Sequence, residues 1–204
     1  MIKNNLQNIK QTLQKGFTVL ELLVVVTIMA IITSIVLFNN RDLNSSILVS
    51  NTAYEMNLLI REAQAYGLGV RGTGDTANAF SYAQGVYFDL STPDKVILFS
   101  DKDGNGTFTA NSNEEIQVYM LDSKRAGTIL SICKPSGTGA CDALGVAVSV
   151  LFKRPNPESI FKTSNGSTNG PVVINTGFAG SQGMCRSIII QKTGAVQVGT
   201  QYCF

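Results

Sequence analysis

Lys15-Gly16-Phe17-Thr18-Val19-Leu20-Glu21 opens an apolar stretch that runs on to Phe38. The residues ahead of Phe17 include Lys3, Lys10 and Lys15 and no acid, and no charged residue occurs from Leu22 to Phe38. As a helix, residues 17–38 would extend roughly 33 Å at 1.5 Å per residue, enough to cross a bilayer. A secretory signal peptide places its small-residue cleavage site after the apolar run. Here the small residue, Gly16, comes before it, so the apolar segment would stay with the mature chain. Lysines on the N-terminal side predict that this end faces the cytoplasm and that the C-terminal part is exported. Glu21 stands alone in this segment, and a lone charge within a membrane helix is costly enough to call for a partner or a function.

Glycine, an aromatic residue, a single glutamate and an uninterrupted apolar helix together resemble the leader of type IV pilins and pseudopilins. The resemblance implies that a prepilin peptidase cuts after Gly16 and that Phe17, the new N-terminus, is methylated. It also implies that Glu21, fifth in the mature chain, sets subunit registration by pairing with a terminal amine. The plainer readings are a glutamate snorkelling at the interface and a glycine that merely ends a helix.

The bulk composition narrows the function. The chain has 204 residues, enough for a leader, one long helix and one globular domain. Its formal charge is +2, but without the three leader lysines 13 basic residues face 14 acidic ones. That is not the balance of a general nucleic-acid binder, whose affinity comes from neutralising phosphates. Histidine is absent, which removes Ser-His and Cys-His pairs and the commonest metal ligand. Cys133, Cys141, Cys185 and Cys203 form no C-x-x-C pair, and an even number in an exported domain predicts disulfides with three connectivities open. Neighbour pairing is favoured, because 133–141 and 185–203 each bracket a loop or hairpin.

Beyond the polar residues Asn39 to Asp42 a helical pattern resumes. Val49, Ala53, Met56, Ile60 and Ala63 lie on one face, a stripe suited to packing on the chain's own sheet. Gly67 is expected to end the helix, with a glycine-rich connection through Gly69, Gly72 and Gly74 that matches no phosphate-binding motif. Strand patterns follow at 85–90, 95–100, 115–121, 127–133, 146–152, 188–191 and 195–198. Residues 91–94 make a turn, and Lys192-Thr193-Gly194 a hairpin loop. Residues 155–157 and 164–170 read as loops. The expected fold is α+β, a long N-terminal helix packed on an antiparallel β-sheet domain. The expected division is a leader at 1–16, a transmembrane and filament-core helix at 17–38, an amphipathic extension at 39–67 and an exported β-rich domain at 68–204.

The passage from Val96 to Gly106, followed by Glu114-Glu115-Ile116, resembles the centre of GspH/FimT-type pseudopilins and minor pilins, and Arg186 to Val196 resembles their closing hairpin. Some members of that branch carry basic residues after the last glycine, a pattern associated with DNA binding. Here those positions are Ala195, Val196, Gln197 and Val198, so nucleic acid is not an expected partner. Lys124-Arg125 and Lys153-Arg154 read as solvated surface. Asp101, Asp103 and Asn105, with Gly106 following, copy the first half of an EF-hand calcium loop. The twelfth position is Ser112 and the acids arrive later, as Glu114 and Glu115, so a plain turn is favoured over calcium. No cofactor is expected.

The resemblance therefore implies a non-enzymatic structural subunit of a type IV pilus or type II secretion pseudopilus. Its expected partners are other pilin-like subunits, the prepilin peptidase and the membrane. It would be held by one span in the bacterial inner membrane with its domain outside the cytoplasm. The alternative is a membrane-anchored extracytoplasmic binding module for DNA uptake or an exported substrate. With no histidine and no G-x-S-x-G, catalysis has little to work with.

Overall fold

The first element, α1 (Val19–Leu68), follows the two hydrophobic patterns read above without a break at residues 39–42. The computed structural model describes residues 16–69, 82–122, 127–137, 140–178 and 184–203, with the backbone alone for 38–44. Residues 1–15 of the leader, Gly72, Gly74 and Lys124-Arg125 lie outside the described residues. By internal contacts the chain divides after Arg41 into two units, and α1 contributes to both.

In the unit from Asp42 onward, eleven strands follow α1 among the described residues. They are β1 (Ala83–Asp89), β2 (Lys95–Asp101), β3 (Glu115–Met120), β4 (Thr128–Pro135), β5 (Cys141–Ala143) and β6 (Ala147–Lys153). The rest are β7 (Asn156–Thr163), β8 (Gly166–Thr168), β9 (Val172–Gly177), β10 (Cys185–Ile190) and β11 (Val196–Gly199). They form two antiparallel sheets rather than one, in the orders β3-β2-β1-β6-β7-β8 and β11-β10-β9-β4-β5. The fold class is α+β, an N-terminal apolar helix with an antiparallel β domain.

One core joins the helix to both sheets. Ala53, Met56, Ile60 and Ala63 of α1 share a cluster with Val86, Phe88 and Val150 of the larger sheet and Ile132, Ile174 and Ile188 of the smaller. Val49 is also fully buried, so the whole predicted stripe faces inward. Strand alternation then leaves a second set of side chains on the opposite face of each sheet. On the larger sheet, Ala83, Phe99 and Leu151 are covered by Phe108, whose ring lies 5.4 Å from Tyr87 and 5.8 Å from Phe99. On the smaller sheet, Cys133, Val173 and Ile189 are covered by Tyr202.

Two segments read as loops contain strands. Pro157 sits in β7 because the pairing with β6 slips there: Lys153 opposes Asn156, whereas Phe152 opposes Ser159. Proline is tolerated at such irregularities because no ladder donor is required of it. Gly166–Thr168 makes only a three-residue edge strand. The central strand β9 was also missed, its apolar run being cut short by Asn175. That side chain is nevertheless buried, its amide nitrogen donating to Ser131 Oγ at 2.9 Å and to the Tyr202 carbonyl at 3.0 Å while its Oδ1 has no hydrogen-bond partner.

Candidate functional site

Two regions carry the sequence's candidate residues. In the first, Gly16, Phe17 and Thr18 are non-helical and lead into α1. Thr18 Oγ1 accepts the Glu21 amide at 3.2 Å and the Thr18 carbonyl accepts the Leu22 amide at 3.2 Å, so Thr18 is the N-cap. Glu21 lies in the first turn, where the exposed backbone amides of a helix end favour negative charge. The sequence reading singled out Glu21 and passed over Thr18, although Thr-x-x-Glu ahead of an apolar run is a capping signature.

From Val19 to Leu37 the helix is long and apolar enough to span a membrane. Its side chains are exposed all round, as they are in a helix whose solvent is lipid or other helices. The two threonines in this stretch are satisfied locally. Thr27 Oγ1 donates to the Leu23 carbonyl at 2.6 Å and Thr33 Oγ1 to the Met29 carbonyl at 2.7 Å, so neither needs water.

The second region is the loop between β2 and β3. Asp101 Oδ2 accepts the Gly106 amide at 3.1 Å, Asp103 Oδ1 the Asn105 amide at 3.0 Å and Asn105 Oδ1 the Thr107 amide at 2.6 Å. Gly106 adopts φ +80°, which permits the sharp turn at the loop's sixth position. Ser112 holds no ligand position, since its hydroxyl donates to the Thr109 carbonyl. Asn111 and Asn113 take left-handed φ values of 65° and 60°, and the chain doubles back through them to bring in Glu114. Glu114 Oε1 accepts the amides of Lys102 (3.1 Å) and Asp103 (3.3 Å), and Oε2 that of Thr109 (2.9 Å).

Oxygens of Asp101, Asp103 and Glu114 thereby lie within 4.8 Å of one another. Burial pushes the Asp101 carboxyl above the usual carboxylate range, the Gly106 amide opposes that, and neighbouring Asp103 and Glu114 push further up. The spacing rule applied to the sequence excluded Glu114 because it fell two places late. The pair of acids at 114–115 was the available signal.

Disulfides join Cys133 to Cys141 and Cys185 to Cys203, with Cα separations of 5.5 and 5.6 Å. The first ties β4 to β5 and the second fastens the segment after β11 to β10. At the closing hairpin Gly194 takes φ +84°. Of the four residues after it, Val196 is buried, Val198 half-buried and Ala195 and Gln197 exposed, which offers no cation to a phosphate.

Residues 12–37 match the prokaryotic N-terminal methylation motif. This places a prepilin signal of the type IV pilin kind on the N-terminus, and such a signal implies processing by a peptidase and assembly with other pilin-type subunits. The motif belongs to structural, not enzymatic, proteins. No curated protein and no solved structure matches the chain.

Proposed function

We propose that this chain is a minor pilin or pseudopilin of the GspH/FimT type, a structural subunit of a type IV pilus or of a type II secretion pseudopilus. The observation that carries the reading is the methylation motif at residues 12–37, with Gly16-Phe17 ahead of a capped helix that is long and apolar enough over Val19–Leu37 to span a membrane. Prepilin peptidase would cut after Gly16 and Phe17 would be methylated. Residues 17–38 would then serve as membrane anchor and filament core, 39–67 as the amphipathic extension and 68–204 as the exported domain. The lysines of the leader keep the N-terminus cytoplasmic, and two disulfides suit an oxidising exterior.

Assembly in this reading is mechanical. An apolar helix leaving lipid for a bundle of similarly apolar helices gains little hydrophobic free energy, so packing and specific polar pairs decide the register. Glu21 is the one carboxylate available to meet the freed amine of Phe17, its own or a neighbour's. Intact-mass and N-terminal analysis of protein from native membranes tests the reading. It should begin at Phe17 with one methyl group. A protein that begins at Met1, or beyond residue 38, removes the filament-subunit role.

A further inference from the structure

We propose that the loop from Asp101 to Glu114 binds a calcium ion. The ligands are the side chains of Asp101, Asp103, Asn105 and Glu114 together with the main-chain carbonyl of Thr107, the loop's seventh position.

The first observation is the ligand set. Three carboxylates converge within 4.8 Å, and the neutral oxygens of Asn105 and Thr107 follow at the alternate spacing used by calcium loops. Glu114 replaces the acid that the linear pattern lacks, being brought in from the start of β3 by the turn through Asn111 and Asn113.

The second observation is independent of loop shape. Asp101 is only 7% exposed, and although its Oδ2 holds the Gly106 amide, its Oδ1 is buried with no hydrogen-bond partner. A buried carboxylate oxygen left without a donor is unfavourable, and two further acids beside it make it more so. Nothing basic offsets them: among the described residues no lysine or arginine is ion-paired with the three. Lys102 Nζ turns instead to the Asn113 carbonyl at 2.6 Å, and the aliphatic stem of Lys162 lies over Gly106. A divalent cation supplies the missing positive charge and occupies the vacant lone pair at once.

All donors are oxygen, which selects a hard ion over zinc or copper. Five protein oxygen ligands of mixed charge suit calcium better than magnesium, which dehydrates reluctantly and keeps several waters. The loop is firmly seated for the task, since Phe108 anchors it on the outer face of the larger sheet.

The full-length chain in detergent micelles, stripped with EDTA, provides the test. Titration with calcium chloride should show saturable one-to-one heat with a dissociation constant of about 10⁻³ M or tighter, and the thermal unfolding midpoint should rise and fall back on adding EDTA. Magnesium chloride should bind at least about tenfold more weakly. Asp103→Asn, at an exposed position, should leave the EDTA-treated protein as stable as the parent while weakening calcium about tenfold or more. Asp101→Asn should stabilise the EDTA-treated protein and abolish its response to calcium. No saturable heat and no thermal shift at about 10 mM calcium would overturn the proposal, as would an Asp101→Asn protein with a parental calcium response. None of these readouts depends on N-terminal processing, so failure here leaves the filament-subunit reading standing.

Discussion

Gly67, in the last turn of α1, lies so close to Phe152 on β6 that a Cβ on the glycine would overlap the Phe152 carbonyl oxygen. The sequence suggests a glycine that stops the helix, yet α1 continues to Leu68 and the Gly69 amide bonds the Ala65 carbonyl at 2.8 Å. What Gly67 supplies is proximity. Without a side chain there, the helix can approach the sheet closely enough to bury Ile60 and Ala63 beside Phe152.

Gly67→Ala should therefore destabilise the protein, against the trend of helix propensity. Alanine in a helix interior gains up to about 1 kcal/mol over glycine. Here the methyl meets backbone that is held between Gln84 and Ser159 in the middle of a sheet and cannot turn aside. Overpacking of that kind costs typically 1–3 kcal/mol, so a net loss is expected in denaturant unfolding of the full chain. A variant more stable than the parent would show that the helix does not sit this close.

Residue type and spacing made much of this fold legible, for reasons visible at particular positions. The stripe from Val49 to Ala63 has one consistent period, and all five residues are buried. β1, β2, β4 and β6 are runs of β-branched and aromatic residues bounded by turn formers and fall within two residues of expectation, while the closing hairpin's first strand, expected at 188–191, begins three residues earlier at Cys185. What the sequence hid depended on distant partners. Asn175 reads as a strand breaker until Ser131 and the Tyr202 carbonyl are known to receive its amide. Pro157 reads as a loop until the slip opposite Lys153 is seen. Glu114 could be brought to Asp101 only by two asparagines in left-handed conformations, a detail that no linear spacing encodes.

The two disulfides should contribute unequally. Cys185 and Cys203 are 18 residues apart and Cys133 and Cys141 are 8 apart. Each bridge is expected to stabilise by roughly 2–4 kcal/mol through restriction of the unfolded chain. Loop-closure entropy makes the wider one worth about 0.7 kcal/mol more. Replacing both cysteines of each pair by alanine, one pair at a time, and comparing unfolding free energies checks the order. Equal losses would mean that native contacts around Tyr202, not loop length, dominate.

Alkaline pH should weaken the β domain through two phenols. Tyr119 is held above the ordinary value of 10.0 by burial first and then by the carboxylate of Glu62, to which its hydroxyl donates at 3.3 Å. Tyr87 is raised by burial and then by Asp89. In both cases the fold favours the neutral phenol. Their contribution is therefore complete below pH about 10 and is lost as pH rises through the raised folded values. Unfolding free energy should fall above that pH in the parent and fall less steeply in a Tyr87→Phe, Tyr119→Phe double variant. Parallel curves for the two proteins would rule out this coupling.

Glu21→Gln separates the two roles available to that residue. As a capping-box partner glutamine is nearly equivalent, because the Thr18 hydroxyl still accepts the amide at position 21 and the side chain still offers an oxygen to the helix start. As the counter-charge of a freed N-terminal amine it is useless. If Glu21 registers subunits, the glutamine variant should insert in membranes and be cleaved after Gly16 like the parent, yet fail to enter filaments or pseudopilus complexes. Thr18→Val should do the reverse, fraying the first turn of α1 while leaving the charge and the assembly in place. Fractionation of membranes and sheared filaments, with mass spectrometry of the N-terminus, reads all three steps in one preparation. Normal incorporation of Glu21→Gln would reduce Glu21 to a capping residue and leave helix packing alone to set the register.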